Sequence, residues 1–278
     1  RASGVSRTDL ASAHKLDKTT ISQIVGELVA QGLVRVLDVD TSIQRPGRKS
    51  ELLTVDDGWG IIAGIELRPD GIRACATDMH ANVIATHHHR QLVERTTLRE
   101  AFFNSLEGLQ ADDRVYGRPL VGVGVGLSGL VNPETQHISR SIPLNILDPY
   151  DFHEQIARHL EVPVRIDNDA NCCAWSELVH TSSEPVRNFL FVLVEFRSPP
   201  ERHMYGGDIG LGLGFVIDGS VYYGGSGSAG EFRSIYWHPG YRNQFAIPDT
   251  EAHEILGRPD ALPRLVEELA AHVGLLTN

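Results

Sequence analysis

Ile166-Asp167-Asn168-Asp169-Ala170-Asn171 is the stretch on which the reading of this chain turns. The apolar residues Val162–Ile166 before it read as a short strand, and four of the next five positions carry a carboxylate or a carboxamide. A carboxylate accepts two hydroxyl hydrogen bonds, and a carboxamide both donates and accepts, so the cluster offers a dense ledge for vicinal hydroxyls. In a phosphoryl-transfer enzyme an Asp placed like Asp169 takes the proton from the attacking hydroxyl. Asn and Asp after a strand are also ordinary turn chemistry, so the motif alone leaves both readings open.

Outward from this point the pattern is one of strands and helices together. Upstream, Ile61–Leu67, Gly71–Thr77 and Asn82–His88 are short apolar segments split by tight turns, which predicts an antiparallel meander. A helix over Leu98–Leu109, a strand over Leu120–Leu127 and a helix over Asp151–Leu160 follow. Downstream the theme repeats: a strand over Asn188–Glu195, a glycine-rich turn at Gly210–Gly214, and strands around Gly214–Ile217 and Ser220–Tyr223. After them Gly224-Gly225-Ser226-Gly227-Ser228-Ala229-Gly230-Glu231 lets the backbone approach a ligand closely and leaves Glu231 free to point inward; a flexible loop has the same composition. The expectation is an α/β protein.

The first 50 residues differ from the rest. They hold eight Lys and Arg against five acids, although the chain as a whole carries a net charge of −11. A basic head on an acidic body suggests that the head alone meets a polyanion. Arg7–His14 reads as a short helix capped by Ser6, and Lys18 to Gln31 as a second, capped by Asp17 and ended by Gly32. Ile21, Ile24, Val25, Leu28 and Val29 fall on its apolar stripe. The strands Leu33–Leu37 and Leu52–Val55, with the polar stretch Asp38–Ser50 between them, complete a winged helix-turn-helix that lacks only its first helix. Polar residues in the first turns of the second helix are candidates for reading base edges: Thr19, Thr20, Ser22 and Gln23. Arg7 and Lys18 are placed to hold the phosphate backbone. Arg45, Gly47, Arg48 and Lys49 form a short basic arm of the kind that enters narrow minor grooves. A packed helix pair with a solvated basic linker is the plainer alternative.

At 278 residues, 41% hydrophobic and 22% charged, the chain has the composition of a soluble globular protein with room for two domains. No apolar run reaches the roughly 18 residues of a membrane span. Cys75, Cys172 and Cys173 form no CxxC pair or disulfide framework, which suits a reducing cytoplasm.

With the head in place, Gly126-Leu127-Ser128-Gly129, Asp167–Asn171, Gly210–Gly214 and Ala229-Gly230-Glu231 occur in an order that resembles the ROK family of sugar-responsive repressors and sugar kinases. The resemblance runs from about Gly4 to the end of the chain. It implies a winged helix-turn-helix over residues 1–55 and a ROK domain over 56–278, an actin-like, hexokinase-type pair of lobes (about 56–180 and 181–278) with a sugar in the cleft. By family position Gly129, Asn168, Asp169 and Glu231 line the sugar site, Asp169 being the base in kinase members. The family would continue past Asn278 through another helix and strand, so the chain reads as trimmed at both ends.

The departures are as informative. Kinase members carry Asp-x-Gly-Gly-Thr where this chain has Glu66-Leu67-Arg68-Pro69-Asp70; proline removes an amide donor, and Asp70 adds repulsion where phosphate would sit. The second phosphate loop reads Asp208-Ile209-Gly210. The usual Gly-His after the Glu is Arg233-Ser234, which removes one expected ligand and leaves Ser234 as a substitute candidate. The family's cysteine-rich zinc site is absent, and His238 alone does not make a metal site. His87-His88-His89 alternates along a strand and reads as structural. The position of a further family Asn falls near Pro143 or Asn145. Glu195 to Gly207 reads as an insertion.

These features predict a repressor whose binding to double-stranded operator DNA responds to a sugar or sugar phosphate, acting as a homodimer or dimer of dimers in the cytoplasm, with no catalytic residue, no cofactor and no metal. The alternatives are an ATP-dependent sugar kinase of the ROK family and a sugar-binding module that acts through a protein partner.

Overall fold

Ser6 opens the first helix through a reciprocal cap: its hydroxyl accepts from the Asp9 amide, and the Asp9 carboxylate accepts from the Ser6 amide. Two amides that a helix start leaves unpaired are thereby satisfied. The computed structural model describes residues 4–37, 51–180, 186–196, 209–241, 243–255 and 262–277. Helix α1 (Arg7–His14) ends at Lys15 in the left-handed region, and α2 (Lys18–Ala30) starts on the Asp17 carboxylate, which accepts from the Thr19 and Thr20 amides at 2.8 Å. It ends at Gly32, whose φ of 75° allows the amides of Gly32 and Leu33 to reach back to the carbonyls of Val29 and Leu28, each at 3.0 Å. Because Leu33 is spent on this closure, the following strand β2 starts one residue later than expected, at Val34–Leu37.

Strands β1 (Val5–Ser6), β2 and β3 (Leu52–Val55) form an antiparallel sheet in the order β1-β3-β2. Ala11, Ile21, Val25 and Leu53 make its small core, with Leu10 and Val34 packed against them. The apolar stripe expected on α2 is only partly used. Ile24 and Val29 remain 42% and 38% exposed, because α1 and the small sheet cover a narrower face than the stripe spans.

The body begins with β4 (Ile61–Arg68), β5 (Gly71–Thr77) and β6 (Val83–Arg90), the expected meander. Helix α3 (Leu98–Gln110) and strand β7 (Leu120–Leu127) follow, then a small ribbon of β8 (Leu130–Val131) and β9 (Ile138–Arg140). Next come α4 (Phe152–Ala157), β10 (Val164–Asn168) and α5 (Asp169–His180). The five-stranded sheet runs β10-β7-β4-β5-β6, with β10, β7 and β4 parallel and the meander antiparallel. Ile61, Ala63, Ile65 and Leu67 alternate into the core, where Leu98, Ala101, Phe102, Leu106 and Leu109 of α3 cover them.

Helix α4 is shorter than expected and takes Asp151 as its cap, the carboxylate accepting from the Glu154 amide at 3.1 Å. Strand β10 lies two residues later than expected. Its last two residues, Asp167 and Asn168, still pair with Gly126 and Leu127 of β7, so the ledge begins on the strand end and continues into the first turn of α5.

Strands β11 (Phe189–Phe196), β12 (Ile209–Ile217) and β13 (Ser220–Val221) form a second, antiparallel sheet. Gly210–Gly214, expected to be a turn, lies inside β12. Its glycines serve packing: a Cβ at Gly214 would meet the Ala170 carbonyl oxygen at 2.7 Å and the Ala174 Cβ at 2.8 Å, so α5 can rest directly on the strand. Residues 197–207 of the expected insertion, and Asp208, lie outside the described residues. Two helices that the sequence reading left out, α6 (Asp249–Ile255) and α7 (Leu262–Thr277), enclose a further core of Phe232, Phe245, Ile247, Ala252 and Leu265. Among the described residues no helix is long and apolar enough to cross a membrane.

Head and body are joined by short-range bonds. Trp59 Nε1 donates to the Gln31 carbonyl at the end of α2 (3.1 Å), and the Asp56 amide donates to the Leu33 carbonyl (2.8 Å). His80, on the β5–β6 turn, sits with Nδ1 2.9 Å from Asp57 and Nε2 3.3 Å from the Thr54 hydroxyl on β3.

Candidate functional site

A cavity of about 710 Å³ lies between the two sheets, and Gly129, Asn168, Asp169 and Glu231 all line it. Each is placed by backbone geometry that its neighbours enforce. Gly129 has φ 154°, and a Cβ there would meet the Arg140 carbonyl oxygen at 2.6 Å, so the turn after β7 admits no side chain. Its carbonyl accepts from Asn168 Nδ2 at 3.0 Å, and Asn168 Oδ1 in turn accepts from the Ala170 amide at 2.9 Å. Asp169 opens α5, where its Oδ1 also accepts from the Ala170 amide, at 2.8 Å. Glu231 follows Gly230, whose φ is 98° and where a Cβ would fall 1.9 Å from the Leu213 carbonyl oxygen. That close approach to β12 aims Glu231 into the cavity.

The ledge expected from Asp167 to Asn171 divides into two pairs. Asp167 is consumed by structure, accepting from the Tyr223 hydroxyl at 2.6 Å, from Asn171 Nδ2 at 3.0 Å and from the Asn168 amide at 2.7 Å. Trp175 Nε1 donates to the same tyrosine oxygen at 3.1 Å. Asn171 is buried, and its Oδ1 has no partner among the described residues. Asn168 and Asp169 are the two that reach the cavity.

Electrostatically the site is strongly acidic at one end. Burial pushes the Asp169 carboxyl up to about 6, with the nearby carboxylates of Glu195, Glu66 and Glu231 adding to the rise against the opposing Ala170 amide. Burial also raises Glu231, and the positive charge of Arg233 opposes it. At the turn between β4 and β5, Arg68 lies 2.8 Å from Glu195, 3.2 Å from Glu66 and 3.2 Å from Asp70. One guanidinium thus ties the end of β4 in the first sheet to β11 in the second, at the hairpin between β4 and β5.

Ser234 is buried away from the cavity, its amide donating to the Gln244 carbonyl and its hydroxyl accepting from the Tyr236 amide; it is not among the lining residues. Of the two candidates after β9, Pro143 lines the cavity and Asn145 does not. Several lining residues escaped the sequence reading: Arg140, Arg233, Trp237, Tyr241, Asn243 and Gln244. Gln244 bonds both the amide and the carbonyl of Leu211 at 2.8 Å and the Phe232 carbonyl at 3.0 Å, strapping β12 to the segment after Glu231. An isolated carboxamide in a loop gives no pattern by which this is found. Partial burial raises the thiols of Cys75, Cys172 and Cys173. Among the described residues no three His, Cys, Asp or Glu side chains are grouped to hold a metal ion.

In the head, Lys18 and Thr19 are exposed on the first turn of α2. Other candidates already have partners: Thr20 donates to Asp17, Ser22 to the Lys18 carbonyl, Gln23 to Glu27 at 3.3 Å, and Arg7 pairs with Glu51. Arg45, Gly47, Arg48 and Lys49 lie outside the described residues.

Comparison with known proteins places these observations. Residues 62–240 match the model of the ROK family. The chain is 24% identical over 231 residues to the xylose repressor of Staphylococcus xylosus, covering 82% of this chain and 56% of that protein. It is 23% identical over 237 residues to the DNA-binding transcriptional dual regulator NagC of Escherichia coli, covering 84% and 54% respectively. The chain therefore spans little more than half the length of these relatives. Among solved structures it resembles a ROK family transcriptional regulator, a homolog of the E. coli MLC protein, with a TM-score of 0.67 and 20% identity over 96% of this chain and 64% of that one. It also resembles a ROK family glucokinase from Streptomyces griseus in complex with glucose and AMPPNP, with a TM-score of 0.52 and 20% identity over 65% and 52%. These likenesses establish a shared mixed α/β fold.

Proposed function

Because this chain belongs to the ROK family, we propose that it is a sequence-specific DNA-binding repressor whose operator affinity is set by a sugar or sugar phosphate in the cavity. Residues 1–55 form a winged helix-turn-helix head in this reading, and residues 56–278 a two-lobed sensor divided near residue 180. The observation that carries the proposal is the union, in one chain, of a doubly capped helix pair on a small sheet with a cavity lined by Gly129, Asn168, Asp169 and Glu231. The repressor and regulator names of the curated relatives support it.

Asn168 and Asp169 would take hydroxyls from one lobe and Glu231 from the other. Bonds that form only when the lobes close around a ligand favour the closed form by their differential free energy. The bonds of Trp59, Asp56 and His80 across the joint then give the head a fixed seat on the first lobe. In a homodimer, closure would change the spacing of two heads on a two-fold operator.

Arg68 speaks against the kinase alternative. With Pro69 and Asp70 it fills the first phosphate hairpin with a three-carboxylate cluster, and Pro69 offers no amide to a phosphate. We expect no ATP-dependent phosphorylation of glucose, xylose or N-acetylglucosamine; turnover that disappears in Asp169→Ala would establish the kinase instead. The DNA reading is tested by titrating labelled DNA from upstream of the protein's own gene. Specific binding that weakens steeply with salt is expected, and its absence across that region would reject the assignment of the head.

A further inference from the structure

Two arginines, Arg140 on β9 and Arg233 two residues after Glu231, line the same cavity as Asn168, Asp169 and Glu231. Neither guanidinium forms an ion pair with a carboxylate among the described residues, whereas Arg68 is paired three times over. Arg233 is held in place near Glu231, whose charge it partly offsets, with no ion pair within 4 Å among the described residues. Its guanidinium carbon lies 4.3 Å over the Trp237 ring, and that ring is fixed by the bond from Trp237 Nε1 to the Asn243 carbonyl at 3.1 Å. Arg140 comes from a strand held by its pairing with Leu130 and by the 2.6 Å bond from the Ser141 hydroxyl to the Ser128 carbonyl. The cavity is therefore lined by neutral and acidic acceptors together with two arginines that carry no ion pair among the described residues.

We propose that the effector is an anionic sugar, a carbohydrate bearing one carboxylate or phosphate group, whose hydroxyls lie on Asn168, Asp169 and Glu231 and whose charged group is held by Arg140 and Arg233. The orientation follows from the charges. Glu66, Glu195 and Glu231 surround Asp169 with negative potential, so an anionic group is repelled from that carboxyl, while the positive charge of Arg233 offsets Glu231 and draws an anion to its side of the cavity. Guanidinium matches the geometry of carboxylate and phosphate alike through paired N–H donors, so both groups satisfy the same chemistry. A neutral sugar would leave the two arginines facing an empty end of the cavity. The inference rests on the reading of the cavity as a sugar site.

The test is a calorimetric titration of the protein with matched ligands: glucose and galactose, their uronates, their 1- and 6-phosphates, and inorganic phosphate alone. At least one charged sugar is expected to bind about tenfold or more tightly than its neutral parent. That advantage should shrink from about 50 mM to about 500 mM salt. It should also disappear in Arg233→Gln and in Arg140→Gln. The uronate and phosphate arms tell which anion is read. Neutral parents that bind as well as their charged counterparts, or a ratio that both arginine variants leave unchanged, overturn the proposal and leave the sugar site standing. Inorganic phosphate that binds as tightly as the charged sugars overturns it too, since the hydroxyl ledge then plays no part. If no carbohydrate binds, in wild type or variants, the sugar site itself is refuted and the anionic effector with it.

Discussion

Asp169 holds its proton to about pH 6 because it lies half-buried beside Glu195, Glu66 and Glu231. In the unfolded chain the same carboxyl titrates near its ordinary value of 3.8. Below about pH 4 both states are protonated and burial costs nothing electrostatically; above about pH 6 both are ionised and the folded state carries the full cost. Stability therefore falls as pH rises through that window. Asp169→Asn keeps the shape and removes the charge, so it should stabilise the unliganded protein by about 1–3 kcal/mol near pH 8. The gain should fade towards zero near pH 4, as followed by urea unfolding across pH. Glycine substitutions make a second test at this scale. Gly230→Ala drives a Cβ into the Leu213 carbonyl oxygen at a left-handed φ, whereas a Cβ at Gly225 has nothing within 4 Å. Gly230→Ala should lower the melting temperature strongly, by about 3 kcal/mol or more of stability, and Gly225→Ala should change it little. Residue types at the ledge were legible in the sequence, but their division of labour was not. Nothing in Asp167-Asn168-Asp169-Ala170-Asn171 says that Tyr223, 56 residues away, occupies Asp167 and leaves Asn168 and Asp169 to the cavity.

Elements with strong local signals were readable. The caps Ser6 and Asp17, the stop at Gly32, and the meander from Ile61 to Arg90 all rest on short-range chemistry that the sequence displays. The misreadings came where tertiary contact decides. Gly210–Gly214 looks like a turn until α5 is seen lying on it, and the stripe on α2 is wider than the surface that covers it. The link between β4 and β11 through Arg68 was equally hidden, because its carboxylates come from positions 66, 70 and 195. The Arg68 side chain is only 16% exposed, as is that of Glu195. A double-mutant cycle of Arg68→Gln and Glu195→Gln should give a coupling of about 1–3 kcal/mol in unfolding experiments. A coupling near zero would mean that this bond does not help hold the two sheets together. At the joint, Trp59→Phe keeps an aromatic side chain, smaller by one ring, and deletes the N–H that reaches Gln31. It should leave DNA affinity without effector near wild type and reduce the change that effector produces; an undiminished response would remove Trp59 from the coupling route.

For the molecule as a whole, the proposed function joins an acidic body to a basic head, with cavity occupancy as the variable that sets DNA affinity. The charge asymmetry and the order of motifs suggest this organisation in the sequence, while the residues that shape the cavity's far wall, Arg233, Trp237 and Gln244, come together only through the fold. Linkage requires that an effector which weakens operator binding is itself bound more weakly by the operator complex, by the same factor. The most direct test measures operator affinity by fluorescence anisotropy in wild type and in Asp169→Asn, each with and without saturating effector. The account predicts that effector changes the wild-type dissociation constant about tenfold or more. Asp169→Asn should bind the operator with wild-type affinity and give little or no response at the same effector concentration. A full response from Asp169→Asn at wild-type effector concentrations would contradict the account, because the cavity built around that carboxyl would then not be the sensor.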